Sequence, residues 1–224
     1  MGSRGQVSYT GGGGGGSFTD DTPLNAYAVA SLNTGVAKGT TPKQAIGRFR
    51  EQMMDKKVEY SAYIDDYGYV HALGSTGKEG STKAASLETV SKQKGVSTII
   101  HNHPHGGSDG RKWGGTFSEA DLSFVVRAFN KSGGNINKIV ATSKEGTYKA
   151  TVKKKVTEKQ VKKAYAKADS IARKKTYTSE KAMWKDVNST LTKEFGKIGI
   201  DIKFDSQPVK KKKLTTQKIG TYNT

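Results

Sequence analysis

Short stretches of alternating hydrophobic and polar residues along the chain predict β-strands. In residues 58–64 the apolar side chains fall on one face and Glu59 falls on the other, as in a half-buried strand. Residues 65–68 have a turn pattern, and a returning strand at 69–73 completes a predicted hairpin. The remaining predicted strands are rich in β-branched or other apolar residues and lie at 96–100, 136–142, 147–152 and 198–204.

Other segments repeat their apolar residues at helical spacing. Thr41 and Gln44 form a capping-box pattern, which predicts a helix that runs to about Met54. Residues 81–94 predict a second helix, and Gly95 after it suits a left-handed helix end. Three further helices are predicted. One begins at Ser118, and the other two cover 161–172 and 183–196.

The order of these elements predicts the fold class. Up to residue 153 the order is typical of an α/β domain with a mixed β-sheet flanked by helices, which we assign to residues 41–153. A basic helical C-terminal extension is expected at 156–206. Residues 1–22 contain six consecutive glycines and predict a disordered arm, and residues 207–224 predict a basic flexible tail.

The composition excludes several kinds of function. The chain has no cysteine, and therefore no disulfide bond, thiolate metal ligand or thiol nucleophile. A tightly held metal would depend on His, Asp or Glu side chains. There is no run of about 18 apolar residues, so we expect no membrane span. The N-terminus also lacks an apolar signal region, and we expect an intracellular protein.

The formal net charge is +18, and much of it lies in the last third of the chain. From Thr151 onward there are 20 lysines and arginines against 7 acidic residues, a net of +13. Such a surface attracts polyanions, and nucleic acid is the obvious partner. A solvated basic helix pair that only maintains solubility explains the same charge equally well. Both interpretations stay open.

Two short motifs contain side chains that bind metals. Residues 101–104 read His-Asn-His-Pro directly after a predicted strand. Side chains two apart at a strand end point the same way, so His101 and His103 can share one metal ion. Asp121 lies one turn beyond Ser118, where a helix should start, and can complete a His₂Asp site. Three protein ligands with a fourth position left for water are the arrangement of catalytic zinc.

Each motif on its own also has a structural interpretation. A His-x-His pair at a strand end is more often structural than metal-binding. Ser-x-x-Asp is an ordinary pattern at a helix start, where the hydroxyl caps the helix and the carboxylate favours its N-terminus. The two motifs together, with a strand before them and a helix after them, favour metal binding.

The same residues resemble a known family. Residues 98–104 look like the metal strand of the JAMM (MPN+) zinc metallopeptidases, and most like their RadC-like and bacteriophage-encoded branch. Ser118 and Asp121 match the Ser-x-x-Asp pattern of that family, and Glu59 matches its upstream glutamate. The resemblance covers residues 57–153.

The resemblance implies a zinc-dependent peptidase or isopeptidase with an α-β-α sandwich fold and a protein or peptide substrate. Zn²⁺ would be held by His101, His103 and Asp121. Glu59 would be the general base, which takes a proton from the attacking water and passes it to the leaving amine. Ser118 would hydrogen-bond the oxyanion of the tetrahedral intermediate.

One departure from the family concerns the segment between the two motifs. Fourteen residues separate the second histidine from the serine, more than the family usually has. Residues 105–116 are polar and rich in glycine, and they predict either a slack loop or a flap that grips the substrate through Arg111 and Trp113. Trp113 could equally pack into the core. His105 is a weak spare-ligand candidate and is more typical of a solvent-exposed loop.

Two other functions stay open. The first is a non-catalytic module that keeps a vestigial metal site and binds nucleic acid or a capsid through the basic C-terminal region. The second is a metal-dependent nuclease, which would leave Ser118 and Asp121 unexplained. The glycine-rich arm and the basic tail are typical of proteins encoded by phages or mobile elements, which predicts a location in the bacterial host cytoplasm or in the virion.

Overall fold

Helices and strands alternate in the computed structural model, which describes residues 7–9, 32–33, 39–92, 95–106 and 112–207. The helices in this part of the chain are α1 (Pro42–Met53), α2 (Leu87–Val90), α3 (Glu119–Lys131), α4 (Glu158–Arg173) and α5 (Glu180–Gly196). The strands are β1 (Val7–Ser8), β2 (Ser61–Asp65), β3 (Val70–Gly74), β4 (Val96–Asn102), β5 (Lys138–Thr142), β6 (Gly146–Val152), β7 (Thr176–Tyr177) and β8 (Ile200–Ser206). None of these helices is long and apolar enough to cross a membrane.

Six of the strands form one mixed sheet in the order β3-β2-β4-β5-β6-β8. β4 and β5 run parallel, and the other neighbouring pairs run antiparallel. β1 and β7 form a separate two-stranded ribbon. Helices pack against both faces of the six-stranded sheet. The predicted α/β class, with a mixed sheet flanked by helices, is therefore confirmed.

Each face of the sheet has its own hydrophobic core. Ile99 and Ile100 are neighbours on β4 and are both fully buried, but their side chains point to opposite faces. Ile100 packs in a cluster with Phe49 of α1, whereas Ile99 belongs to the larger cluster with α3, α4 and α5. Because side chains alternate along a strand, His101 points to the same side as Ile99. His101, near the end of β4, therefore faces α3 inside the molecule.

α1 begins as the sequence predicted, and its last turn is hydrogen-bonded to the residues that follow β5 and β8. The backbone N–H of Thr41 donates to Oε1 of Gln44 (2.8 Å), as expected of a capping box. A cap of this kind stabilises a helix by about 1 kcal/mol. In the last turn, the guanidinium of Arg50 donates to the carbonyl oxygens of Ser143 (3.1 Å) and Gln207 (2.7 Å). These bonds connect α1 to the β5–β6 turn and to the residue after β8.

The helix predicted at 81–94 covers only Leu87–Val90 in the described part of that segment. The residues before it run beside the β2–β3 hairpin, where the hydroxyl of Tyr63 donates to the carbonyl oxygen of Ala85 (2.9 Å). Tertiary hydrogen bonds of this kind outweigh the local helical pattern. Gly95 does have the expected left-handed backbone, with φ of 80°.

Residues 156–206 pack together with the six-stranded sheet. α4 and α5 pack into the larger hydrophobic cluster. β8 pairs antiparallel with β6 from Val152↔Ile200 to Gly146↔Ser206. The two helices and the strand predicted here are confirmed. The segment 156–206, predicted as a basic helical extension, contributes two helices to the larger hydrophobic cluster and the edge strand β8 to the six-stranded sheet.

Part of the predicted disordered arm at 1–22 is structured. Val7–Ser8 pairs with Thr176–Tyr177, and the side chain of Tyr9 is buried in the larger core. The ring of Tyr9 meets the ring of Trp184 edge-on, with centroids 6.0 Å apart. The six glycines of the arm and all of the predicted tail except Gln207 lie outside the described residues.

Candidate metal centre

Four side chains with metal-binding atoms meet at the end of β4. His101 is the penultimate residue of β4 and His103 follows its last residue, so both imidazoles project to one side. Asp121 lies in the first turn of α3, and Glu59 lies two residues before β2 instead of inside it. All four side chains are buried, and each offers a ligand atom within 4.8 Å of the others. This buried group could hold a metal ion.

The distances inside the cluster suit an ion of the size of zinc. Nε2 of His101 lies 2.8 Å from Nε2 of His103 and 3.3 Å from Oδ1 of Asp121. Nε2 of His103 lies 3.7 Å from Oδ2 of Asp121. Two ligands of a tetrahedral zinc ion, each at about 2.0–2.1 Å, are roughly 3.3 Å apart. Oε1 of Glu59 is the most distant atom, 4.0 Å from Nε2 of His101.

The tautomer of His103 follows from its second ring nitrogen. Nδ1 of His103 lies 2.9 Å from the carbonyl oxygen of Gly115. A carbonyl oxygen only accepts hydrogen bonds, so Nδ1 carries a proton, and in the neutral ring Nε2 presents its lone pair to the cluster. A hydrogen bond from the other ring nitrogen to a backbone carbonyl is the usual support of a metal-binding histidine.

Ser118 and Asp121 form one hydrogen-bonded unit at the start of α3. The backbone N–H and the hydroxyl of Ser118 both donate to Oδ2 of Asp121, at 2.7 and 2.9 Å. The hydroxyl oxygen in turn accepts from the backbone N–H of Asp121 at 3.2 Å. The pair therefore caps the helix and fixes the carboxylate that faces the two histidines.

Burial and neighbouring charges have opposite effects on the pKa values of Asp121, His101 and His103. At Asp121 burial opposes ionisation, but the neighbouring His101 and His103 outweigh it and hold the pKa well below its usual value. Burial lowers the pKa of His101, and Asp121 only partly offsets this effect. Burial also acts to lower the pKa of His103, but the nearby negative charge of Asp121 and the hydrogen bond to the Gly115 carbonyl outweigh it and raise that pKa. An ionised carboxylate beside a neutral His101 is a donor set that attracts a cation.

Asn102, between the two histidines, holds the backbone on both sides of Glu59. Its Oδ1 accepts from the backbone N–H of Tyr60 (2.7 Å), and its Nδ2 donates to the carbonyl oxygen of Val58 (3.1 Å). The His-x-His motif thus positions the glutamate as well as the histidines. This role of Asn102 could not be predicted from the sequence, because Asn102 and Tyr60 are 42 residues apart and nothing but the amide type of the side chain points to it.

Two glycines between the motifs lie close to the centre. A Cβ at Gly114 would lie 2.7 Å from the carbonyl oxygen of His103, and a Cβ at Gly115 would lie 2.7 Å from the ring of Trp184. The carboxylate of Glu145 accepts hydrogen bonds from the backbone N–H groups of both glycines, at 3.2 and 2.8 Å. The described end of the predicted loop is therefore a closely packed segment.

Two of the other side chains considered in this loop, those of Trp113 and His105, lie outside the cluster. Trp113 is half-buried rather than packed in the core, and its backbone N–H donates to Oε1 of Glu180 (3.1 Å). His105 is partly exposed and contributes no atom to the metal-binding group. Arg111 lies outside the described residues.

Comparisons with known proteins identify no relative of this chain. It matches no family model, no curated protein and no solved structure. The resemblance to the JAMM metallopeptidases therefore depends on the motif residues alone, and the function has to be argued from the geometry of the cluster.

Proposed function

We propose that the protein is a zinc-dependent hydrolase that cleaves an amide bond in a protein or peptide, as a peptidase or isopeptidase. The observation that carries this proposal is the composition of the cluster. Two imidazoles and the carboxylate of Asp121 face one another, and the carboxylate of Glu59 lies just beyond them. A structural zinc site uses its fourth ligand to close the coordination, whereas a carboxylate held slightly farther away suits a general base.

The donor set fits zinc among the common metal ions. Imidazole nitrogens suit zinc better than magnesium or calcium, which prefer oxygen ligands. The carboxylate of Asp121 adds one negative charge, which leaves a bound divalent ion with net positive charge. Zinc bound at such a site is a Lewis acid that activates water near neutral pH.

The remaining chemistry falls to Glu59 and Ser118. Glu59 accepts the proton of the attacking water and passes it to the leaving amine. Ser118 stabilises the negative oxygen of the tetrahedral intermediate through its hydroxyl. When the hydroxyl turns to the substrate, the backbone N–H of Ser118 still donates to Asp121 and retains one of the two hydrogen bonds to the carboxylate.

Complete burial of the cluster favours a second candidate function. Glu59, His101, His103 and Asp121 are all at most 1% exposed, and closed metal sites are typical of structural zinc. In this case the metal would stabilise a non-catalytic module, and the basic surface of the domain would bind nucleic acid. Both candidates bind zinc, so hydrolysis is the property that separates them.

A cleavage assay with matched variants tests the proposal. Zinc-loaded protein is incubated with a library of unfolded proteins, peptides and isopeptide-linked peptides, and new termini are counted by mass spectrometry. Glu59→Gln should keep its zinc and lose cleavage by about 100-fold or more. Glu51→Gln, at an exposed position on α1, should cleave like the wild type.

Either of two results would overturn the hydrolase proposal. The first is wild-type protein that holds zinc but cleaves none of these substrates, which supports the structural candidate. The second is cleavage that persists in Glu59→Gln. Cleavage of single-stranded or duplex DNA by the wild type, lost in Glu59→Gln, would instead support a nuclease.

A further inference from the structure

A cleft of about 510 Å³ opens between the β5–β6 turn, α5 and the segment before α3. Its apolar lining includes the aromatic side chains of Trp113, Tyr148, Trp184 and Phe204. We call this feature the aromatic cleft. Its volume lies within the range of sites that enclose a small molecule or a large side chain.

Three of the four aromatic side chains of the cleft are at least partly exposed, whereas Tyr148 is buried. The rings of Tyr148 and Phe204 stack with centroids 4.5 Å apart, and Phe204 is 40% exposed. Trp113 and Trp184 are each half-buried. Exposed aromatic side chains grouped around a concave site favour an apolar or aromatic group as the occupant.

The rim of the cleft is positively charged. Lys144, Lys181 and Lys185 are exposed on it, and none of the three forms an ion pair with the residues that the structure describes. The carboxylate of Glu145 lies in the same lining. It already accepts hydrogen bonds from two backbone N–H groups and from the hydroxyl of Tyr148. The three lysines are therefore available to acidic groups of a ligand.

The aromatic cleft and the metal centre share one wall. The carbonyl of Gly115 accepts the hydrogen bond from His103, and Trp113, two residues earlier, lines the cleft. The ring of Trp184 lies directly against Gly115. Glu180 accepts from the backbone N–H of Trp113 and so holds this wall in place. A chain segment seated in the cleft lies next to the metal-binding group.

We propose that the aromatic cleft binds a bulky apolar side chain of the polypeptide substrate, in a segment that carries acidic residues beside that side chain. This proposal rests on the proposed hydrolase function, because it treats the bound polypeptide as the substrate. The apolar lining selects the side chain, the three lysines select its acidic neighbours, and the shared wall places the segment against the residues that support His103.

Tryptophan fluorescence can test the proposal directly, because the chain has two tryptophans and both line the cleft. Full-length Glu59→Gln protein, which does not consume the probe, is titrated with short synthetic peptides. The first peptide has a phenylalanine flanked by aspartates. The second has alanine in place of the phenylalanine, and the third has lysines in place of the aspartates. Oligothymidylate is titrated in parallel.

The first peptide should change the tryptophan emission and bind at least about tenfold more tightly than either of the other two. Phe204→Ala should weaken its binding about fivefold or more. Tyr67→Ala, which removes an aromatic ring that is 72% exposed and absent from the cleft lining, should not. Equal binding of the three peptides, no change of emission in folded protein, or tighter binding of oligothymidylate would each overturn the proposal.

Failure of this proposal is distinguishable from failure of the hydrolase proposal, because the binding measurement needs neither metal nor turnover. If the first peptide binds as expected but zinc-loaded wild-type protein cleaves nothing, the cleft assignment stands and the hydrolase proposal fails. If the cleavage rates depend neither on Phe204→Ala nor on the apolar residue of the peptide, the cleft assignment fails and the hydrolase proposal stands.

Discussion

Nδ1 of His103 lies 2.9 Å from the carbonyl oxygen of Gly115, and this contact decides which nitrogen of the ring faces the metal centre. The carbonyl accepts a hydrogen bond from Nδ1–H, so in the neutral ring the lone pair of Nε2 points towards Asp121 and His101. The position of that carbonyl depends on Gly115, which has φ of 81° and lies against the ring of Trp184. A glycine in the loop between the two motifs therefore supports a candidate metal ligand.

Gly115→Ala should weaken zinc binding as well as folding. The new Cβ would lie 2.7 Å from the ring of Trp184 at a left-handed φ, so the backbone must shift and move the carbonyl away from His103. We expect the free energy of unfolding to fall by about 2–3 kcal/mol and the zinc affinity to fall about tenfold or more. Urea unfolding and competition with a zinc chelator measure the two effects.

Gly133→Ala is the matched control for this substitution. Gly133 also has a left-handed φ, of 62°, but a Cβ there meets nothing within 4 Å. This variant should lose about 1 kcal/mol of stability from the backbone alone and keep the zinc affinity of the wild type. If both variants bind zinc equally well, Gly115 has no role in positioning His103.

Asn102→Ala should reduce hydrolysis while the metal stays bound. The substitution removes both hydrogen bonds that hold the backbone around Glu59, so the carboxylate loses its fixed position. We expect kcat to fall about tenfold or more at unchanged zinc content, together with a loss of stability of about 1–3 kcal/mol.

Asn33→Ala provides a control with the same pair of lost hydrogen bonds. The side chain of Asn33 accepts from the backbone N–H of Val70 and donates to its carbonyl oxygen, on the outer strand β3. This variant should lose similar stability without any change in kcat. A parallel loss of kcat in both variants would mean that Asn102 acts only on folding.

Ser118→Ala should combine the loss of a helix cap with the loss of metal affinity. The hydroxyl of Ser118 caps α3 and also donates to the carboxylate of Asp121. Loss of the cap costs about 1 kcal/mol, and the loosened carboxylate should lower the zinc affinity about 10- to 100-fold. Thermal unfolding and a zinc titration separate the two contributions.

Ser179→Ala isolates the capping effect. Ser179 caps α5 by accepting from the backbone N–H of Ala182 (3.1 Å) and contributes no atom to the metal-binding group. The variant should lose about the same stability as Ser118→Ala and keep full zinc affinity. Unchanged zinc affinity in Ser118→Ala as well would show that the hydroxyl of Ser118 does not hold the carboxylate of Asp121 for the metal.

Much of the centre could be predicted because its pieces are local. A histidine pair two apart at the end of an apolar strand shares one side, and a Ser-x-x-Asp pattern places its carboxylate in the first turn of a helix. His101, His103 and Asp121 do come together. Glu59 joins them, although its position came from the family resemblance and β2 begins only at Ser61.

The contacts that sequence analysis missed all join distant parts of the chain. Asn102 reaches across the β2–β4 pairing, and Glu145 supports the glycines that hold His103. β8 joins β6 although two helices separate them in the sequence. Hydrophobic periodicity depends only on local structure. It therefore predicted these helices and strands, but not which other elements they contact. The prediction of a helix before Leu87 was wrong for the same reason, because the hydrogen-bond partners of that segment lie on the β2–β3 hairpin.

Zinc should stabilise the folded protein by an amount that depends on its free concentration. An ion that binds only the native state adds about 2.7 kcal/mol when its concentration is 100 times the dissociation constant. We therefore expect the unfolding midpoint to rise with added zinc and to fall with a chelator. His101→Ala should show neither change, and an equal response in that variant would place the metal elsewhere.

The metal content of purified protein tests the central claim most directly. Elemental analysis compares the wild type, the double variant His101→Ala/His103→Ala, and His105→Ala, a neighbouring histidine outside the cluster. We expect about one zinc per chain in the wild type and in His105→Ala, and none in the double variant. No zinc in the wild type after loading, or the same content in all three proteins, would contradict a metal centre at the end of β4.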